Sequence, residues 1–113
     1  HAFEMAQGSD VRLDLEVDGV DLIPEALELA RMGILPAGMY RNRHFAEAGV
    51  DAGDVELARQ DLLYDPQTAG GLLISVAAED APALLRDLQG AVPSAQRIGT
   101  VAEYAGGKRI ILH

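Results

Sequence analysis

The chain has 113 residues, a length that fits one domain able to bury its own apolar core. Hydrophobic residues make up 49% of the sequence, which argues against wholesale disorder. There is no cysteine, so disulfides, thiolate metal sites and a cysteine nucleophile are excluded for these residues. The absence of cysteine also suits a cytoplasmic protein.

The chain is strongly acidic. Asp and Glu number 18 against 9 Lys and Arg, which gives a formal net charge of −9. Such a field repels nucleic acid and anionic lipid, so neither is expected as a partner. No apolar run approaches the roughly 18 residues needed to cross a bilayer, and the first residues lack the pattern of a signal peptide.

The first predicted elements are the end of a helix, a strand and a second helix. Residues 1–7 are typical of a helix end, and because the chain opens at His1 we expect a fragment of a larger protein; the alternative is a processed terminus or a tag residue. Apolar and polar residues alternate over 11–17, which predicts a strand with one buried face. A helix is predicted over 23–32, and Gly33 is expected to end it in the left-handed conformation.

The middle of the chain is predicted to be mostly irregular. Residues 35–54 contain Pro-Ala-Gly and Ala-Gly-Val-Asp-Ala-Gly stretches, which are loop composition. So long an irregular stretch in a small domain is often functional. A short helix is predicted to follow over 55–63.

The remaining elements are predicted as loop, strand, helix and hairpin. Residues 65–71 form a turn-rich loop, and 72–76 are apolar at nearly every position, which predicts a central strand. A helix follows over 80–89. Residues 98–104 and 108–112 are predicted strands of a hairpin, because two glycines lie between them.

Strands and helices mix in this order without strict alternation. The pattern therefore predicts an α+β fold, with helices packed on a mostly antiparallel or mixed sheet. We expect residues 1–113 to form a single domain.

The first candidate site is the loop Asp65-Pro66-Gln67-Thr68-Ala69-Gly70-Gly71. Adjacent glycines let a ligand approach the backbone and leave N–H groups free to hold an anion. Gln67 adds an amide and Thr68 a hydroxyl. The alternative is that the loop is only a tight turn before a buried strand. The spacing of the residues, taken alone, favours this alternative. A strand follows where a P-loop or a dinucleotide fingerprint requires a helix.

The second candidate is the basic segment Arg41-Asn42-Arg43-His44. Two arginines can bind phosphate oxygens through paired N–H donors. The alternative is a solvated loop that offsets an acidic surface, and the segment taken alone favours this alternative.

No catalytic or metal-binding residue is predicted in this chain. No pair among the three histidines has metal-ligand spacing. No carboxylate pair stands out for acid–base chemistry, and no serine lies in a nucleophile motif.

Several segments resemble the carboxy-terminal domain of the selenophosphate synthetase (selenide, water dikinase) family. Residues 65–73 are close to that family's Asp-Pro-Gln-Thr-Ser-Gly-Gly-Leu-Leu, although Ala69 stands where the family has serine. The other matches occur in the family's order: His-Ala-Phe-Glu-Met-Ala at residues 1–6, Pro-Ala-Gly at 36–38 followed by Arg41-Asn42, and Ile-Gly-Thr-Val at 98–101. Together they cover nearly the whole chain.

The resemblance implies a fold and a reaction. The fold is the α/β/α layered carboxy-terminal domain of the aminoimidazole-ribonucleotide synthetase type, with a mixed sheet and partial ferredoxin-like topology. The reaction converts selenide, ATP and water to selenophosphate, AMP and phosphate, using magnesium. The family's catalytic residues and magnesium-binding aspartates belong to an amino-terminal domain, so this fragment is expected to bind neither ATP nor magnesium alone and to be inactive.

The resemblance also implies partners and a binding role. The expected partner is the amino-terminal domain of the same enzyme, in a homodimer. Six residues are expected to face the cleft between the domains and to hold phosphate or selenide-derived anions: Arg41, Asn42, Gln67, Thr68, Gly70 and Gly71. Two alternatives stay open, namely the same domain from a thiamin-phosphate kinase, hydrogenase-maturation or purine-synthesis enzyme, and a non-catalytic scaffold.

Overall fold

Four strands form one mixed sheet in the computed structural model, which describes residues 1–113. The strands are β1 (Val11–Leu15), β2 (Val50–Asp51), β3 (Gly99–Glu103) and β4 (Ile110–Leu112). Their order in the sheet is β2-β4-β1-β3. Strand β1 runs antiparallel to β3 and parallel to β4, and β2 runs parallel to β4. The predicted α+β class with a mixed sheet is confirmed.

Five α-helices accompany the sheet. They are α1 (Ala2–Gly8), α2 (Ala26–Arg31), α3 (Ala37–Ala46), α4 (Leu57–Leu63) and α5 (Ala81–Ala91). The helices predicted over 23–32, 55–63 and 80–89 are thus present with shifted ends. None of the five has the length and apolar character that a membrane crossing requires.

The core lies on one face of the sheet, beneath α1. Leu13 of β1 is in register with Val101 of β3 and Ile110 of β4, which places the three side chains on the same face. The buried cluster comprises Ala6, Leu13, Val17, Ile110 and Leu112. The strand predicted over 11–17 is therefore confirmed over 11–15, while Val17, which is buried as predicted, begins a short 3-10 helix.

Helix α2 is shorter than predicted at its start and ends as predicted. Glu25 has a left-handed φ of 70°, so α2 begins only at the following residue. Gly33 has φ 77°, the left-handed conformation expected just beyond the last turn.

The irregular stretch predicted over 35–54 is wrong, because α3 occupies residues 37–46. Met39 and Ala46 are seven residues apart, two helical turns, and both are buried. No proline or glycine interrupts the chain between them. The glycines at either end obscured this short helical pattern.

The strand predicted over 72–76 is also wrong. These residues belong to no strand and all are exposed, Leu72 to 90%. An apolar run indicates that burying these side chains is favourable. It does not show which surface they would pack against.

The predicted hairpin of residues 98–104 and 108–112 is wrong in its pairing. Both strands exist, as β3 and β4, but β1 lies between them. The connection crosses the end of β1, where the Arg109 guanidinium stacks on the Tyr104 ring at 3.6 Å from its centroid. The Tyr104 hydroxyl donates to the Gly107 carbonyl at 3.0 Å, which closes the turn.

Gly99→Ala should weaken the pairing of β1 with β3. A Cβ at this position would collide with the Asp14 carbonyl oxygen and lie 3.1 Å from Leu15 Cα, and backbone cannot rotate away. We expect a loss of about 1–3 kcal/mol in the free energy of unfolding, measured by urea denaturation. Gly90→Ala, in open space on α5, is the matched control and should gain about 0.5–1 kcal/mol. Unchanged stability of the Gly99 variant would contradict the observed close approach.

Candidate functional site

The two candidate segments lie side by side, because α3 packs against the start of the loop at 65–71. Asn42 Nδ2 donates to the Tyr64 carbonyl oxygen at 2.9 Å. A Cβ on Gly38 would lie 2.7 Å from Pro66 Cγ, so α3 and the loop touch there. Gly38 and Asn42 are four residues apart and therefore share one face of the helix. That face holds the loop.

Arg41 is the exposed cation of the site. Its Nη2 lies 3.7 Å from the Cβ position of Gly38, so the guanidinium extends back along the helix toward the contact with Pro66. Arg41 makes no ion pair within the chain. Its charge and N–H donors are therefore available to an external anion.

The loop exposes its backbone donors. Gln67, Thr68, Gly70 and Gly71 are all exposed. The N–H groups from Thr68 to Gly71 donate to no acceptor in the protein, so water or a ligand must satisfy them. The Gln67 side chain folds over Gly70, where an added Cβ would collide with Gln67 Oε1.

A buried ion pair lies beneath this surface. Arg43 Nη2 contacts Asp61 Oδ1 of α4, with side chains 22% and 10% exposed. The Arg43 guanidinium carbon is 5.4 Å from the Tyr64 ring centroid, within cation–π range. Burial raises the pKa of the Tyr64 phenol, against an opposing effect of the Arg43 charge. Arg43 is thus engaged inside the protein, and Arg41 remains the free guanidinium of the pair.

The site is an open surface. A cavity of about 690 Å³ lies elsewhere, at the ends of β1 and β4, and a second of about 240 Å³ lies between α2 and α4. Neither is lined by the loop or by Arg41. A surface of this kind can form one wall of a larger site, but it does not enclose a ligand by itself.

Three contributors were missed by sequence reasoning. Gly38 provides the close approach to Pro66, Tyr64 supplies the carbonyl that Asn42 holds, and Asp61 neutralises Arg43. Tyr64 and Asp61 lie 18 or more residues from their partners, and no local pattern identifies such pairs. The apolar spacing of Met39 and Ala46 was the one available signal, since it predicts the helix that brings these groups together.

Comparison with known proteins decides the family. Residues 1–111 match the family described as AIR synthase related protein, C-terminal domain. The chain belongs to this family. The relationship explains why strings from the first residue to the last resemble one kind of domain, and it confirms the predicted superfamily.

This AIR synthase-related domain is similar to curated selenide, water dikinases. It is 50% identical over 104 residues to the protein of that name from Clostridioides difficile, which covers 89% of this chain and 30% of the relative. It is 52% identical over 84 residues to selenide, water dikinase 2 of Peptoclostridium acidaminophilum. That alignment covers 74% of this chain and 24% of the relative. It is 45% identical over 92 residues to the selenide, water dikinase of Treponema denticola. That alignment covers 81% of this chain and 26% of the relative. The chain therefore spans less than a third of the length of these relatives.

Asn42→Ala should loosen the loop from α3. The variant loses the hydrogen bond to the Tyr64 carbonyl, which is worth about 0.5–1.5 kcal/mol in the free energy of unfolding. Urea denaturation measures the loss, and amide chemical shifts over residues 64–71 report its location. His44→Ala on the same helix is the control, because that side chain is 92% exposed. Equal stability of the two variants would contradict a holding role for Asn42.

Proposed function

We propose that this chain is the carboxy-terminal domain of a selenide, water dikinase, an enzyme that makes selenophosphate, AMP and phosphate from selenide, ATP and water. The observation that carries this proposal is the 50% identity, over 89% of the chain, to a curated protein of that name. The order of matching strings along the whole sequence supports it. Other similar proteins are also selenide, water dikinases, which favours this reaction over those of sister enzymes.

In this proposal the domain supplies one wall of an active site that is completed by an amino-terminal domain. The Arg41 guanidinium and the unpaired N–H groups of residues 68–71 provide positive charge and donors on one exposed surface of an acidic protein. That combination suits phosphate or a selenide-derived anion. Gln67 and Thr68 add a side-chain amide and hydroxyl, while the Asn42 amide holds the loop against α3.

The chemical steps are assigned to the rest of the enzyme. This chain has no cysteine, and no three His, Asp or Glu side chains lie together as ligands of a metal ion would. ATP with magnesium is assigned to the amino-terminal domain, as the resemblance to the family implies. The proposed location is the cytoplasm, which the absence of cysteine suits, and the proposed assembly is a homodimer, as the resemblance to the family implies.

Gly70→Val in the full-length enzyme should cut selenophosphate formation without unfolding the protein. The added side chain would displace Gln67 and block close approach of a ligand to the backbone. We expect roughly a tenfold loss of kcat/KM, comparable to the loss of one charge-assisted contact. Turnover is measured as selenide-dependent AMP release.

The control for this experiment is Gly90→Val, the same substitution in open space on α5. It should retain wild-type turnover. If the Gly70 variant also turns over at the wild-type rate, the loop has no role in the reaction, and a scaffold role for the domain is favoured instead.

The isolated 113-residue chain should release no AMP from ATP in the presence of selenide and magnesium, because it has no cysteine and groups no three His, Asp or Glu side chains as metal ligands. The measurement is an AMP assay on the purified chain, with the full-length enzyme as the positive control. Selenide-dependent AMP release by the pure chain would show that the chemical steps reside in this domain.

A further inference from the structure

Arg43 is the half-buried member of the Arg-Asn-Arg-His segment and points toward α4. Its guanidinium contacts the carboxylate of Asp61, the one charged residue that is buried in the structure. It also faces the Tyr64 ring at the point where α4 leads into the loop. Arg43 therefore contacts both α4, through Asp61, and Tyr64, the residue just before the loop.

This pair is a poor source of stability. Arg43 Nε and Nη2 and Asp61 Oδ1 are shielded from solvent, yet no hydrogen bond there is well aligned. Desolvation of two charges offsets most of their attraction when the surrounding hydrogen bonds are incomplete. What such a pair can supply instead is a fixed register between the elements that carry it.

The register that Arg43 fixes determines where Arg41 points. Residues two apart on a helix project about 200° from each other, so Arg41 faces outward when Arg43 faces α4. Tyr64 contacts two sides of α3, because its ring lies against Arg43 while its carbonyl accepts a hydrogen bond from the Asn42 amide. Rotation of α3 would break these contacts and move Arg41 away from the loop.

We propose that Arg43 is a positioning residue, which acts through Asp61 and Tyr64 to hold Arg41 beside the loop at 67–71, where both contact one anion. This inference rests on the proposed function. Arg43 touches no ligand itself. Its effect on anion binding is carried entirely by Arg41, which it keeps beside the loop.

A double-mutant cycle on the full-length enzyme tests this assignment. Inorganic phosphate is the probe, and its Kd is measured by calorimetry for wild type, Arg41→Ala, Arg43→Lys and the double variant. Lysine keeps the charge but cannot both reach Asp61 and stack on Tyr64 as the planar guanidinium does. Each single variant should bind phosphate roughly tenfold more weakly, the effect of one lost charge-assisted contact.

The double variant decides between positioning and general damage. If Arg43 acts through Arg41, the double variant should bind phosphate no more weakly than Arg41→Ala alone. Arg59→Lys is the matched control, because Arg59 is a half-buried, ion-paired arginine on α4 away from the loop. It should leave the phosphate Kd unchanged.

Three results would overturn the inference. Wild-type affinity in Arg43→Lys removes the positioning role. Additive losses, roughly a hundredfold in the double variant, mean that Arg43 does not act through Arg41. Wild-type affinity in Arg41→Ala removes the proposed anion site itself, and this inference with it.

A second variant covers the case in which Arg43→Lys does not fold. Tyr64→Leu removes the ring beside the guanidinium and leaves both charges of the Arg43–Asp61 pair in place. It should weaken phosphate binding in the same direction and add nothing in the Arg41→Ala background. An additive effect of Tyr64→Leu would overturn the inference equally.

Discussion

The parallel pairing of β1 with β4 is the constraint on which the rest of the structure depends. Residues near the two ends of the chain lie side by side in the middle of the sheet. Parallel neighbours require the chain to leave one end of a strand and return to the other, so all that lies between must form crossover connections. Helices α2 and α3 lie in the connection from β1 to β2, two strands that run in the same direction. Helix α4, the candidate loop and α5 lie in the connection from β2 to β3.

Arg109 secures this arrangement at the point where the last crossover enters β4. Its Nη2 donates to the Asp10 carboxylate at 2.9 Å, and its Nη1 to the Val11 carbonyl at 3.3 Å, while the ring of Tyr104 covers its face. One side chain thus joins the start of β1 to the connection that passes over it. Contacts between residues about 100 positions apart carry a large loop-closure entropy cost, which this one side chain offsets with several interactions.

Sequence patterns predicted elements well where the physical cause is local. Alternation located β1 because one face is covered, and Gly33 ended α2 in the left-handed conformation that glycine adopts without strain. Gly106 and Gly107 also have positive φ, so the turn before β4 was correctly indicated. The sequence could not show that this turn spans the end of β1, because strand pairing depends on non-local register.

The candidate site was predictable in part for the same reason. Glycine content and polarity identified an exposed loop at 65–71, and the charge of Arg41 identified a cation. The resemblance named Arg41 and not Arg43, but charge and spacing alone did not distinguish the two, because the difference depends on which side of α3 meets α4. Asp61 and Tyr64 supply that distinction, and they are distant along the chain. The family followed from strings of residues, which carry more information than their periodicity.

The loop lies between a well-packed part of the chain and a poorly packed one, and this affects how tightly it can bind a ligand. The preceding helix α4 contributes the buried residues Ala58 and Asp61, whereas no residue from 66 to 97 is buried. The apolar run at 72–76 is exposed, and the apolar stripe of α5 is only half-buried. A binding loop whose second end is so weakly held loses conformational freedom when it closes on a ligand, which reduces affinity. Any surface that covers the run at 72–76 removes part of that loss in advance. Under the proposed function, linkage requires that an anion bound at 67–71 favour this covered state by the same factor.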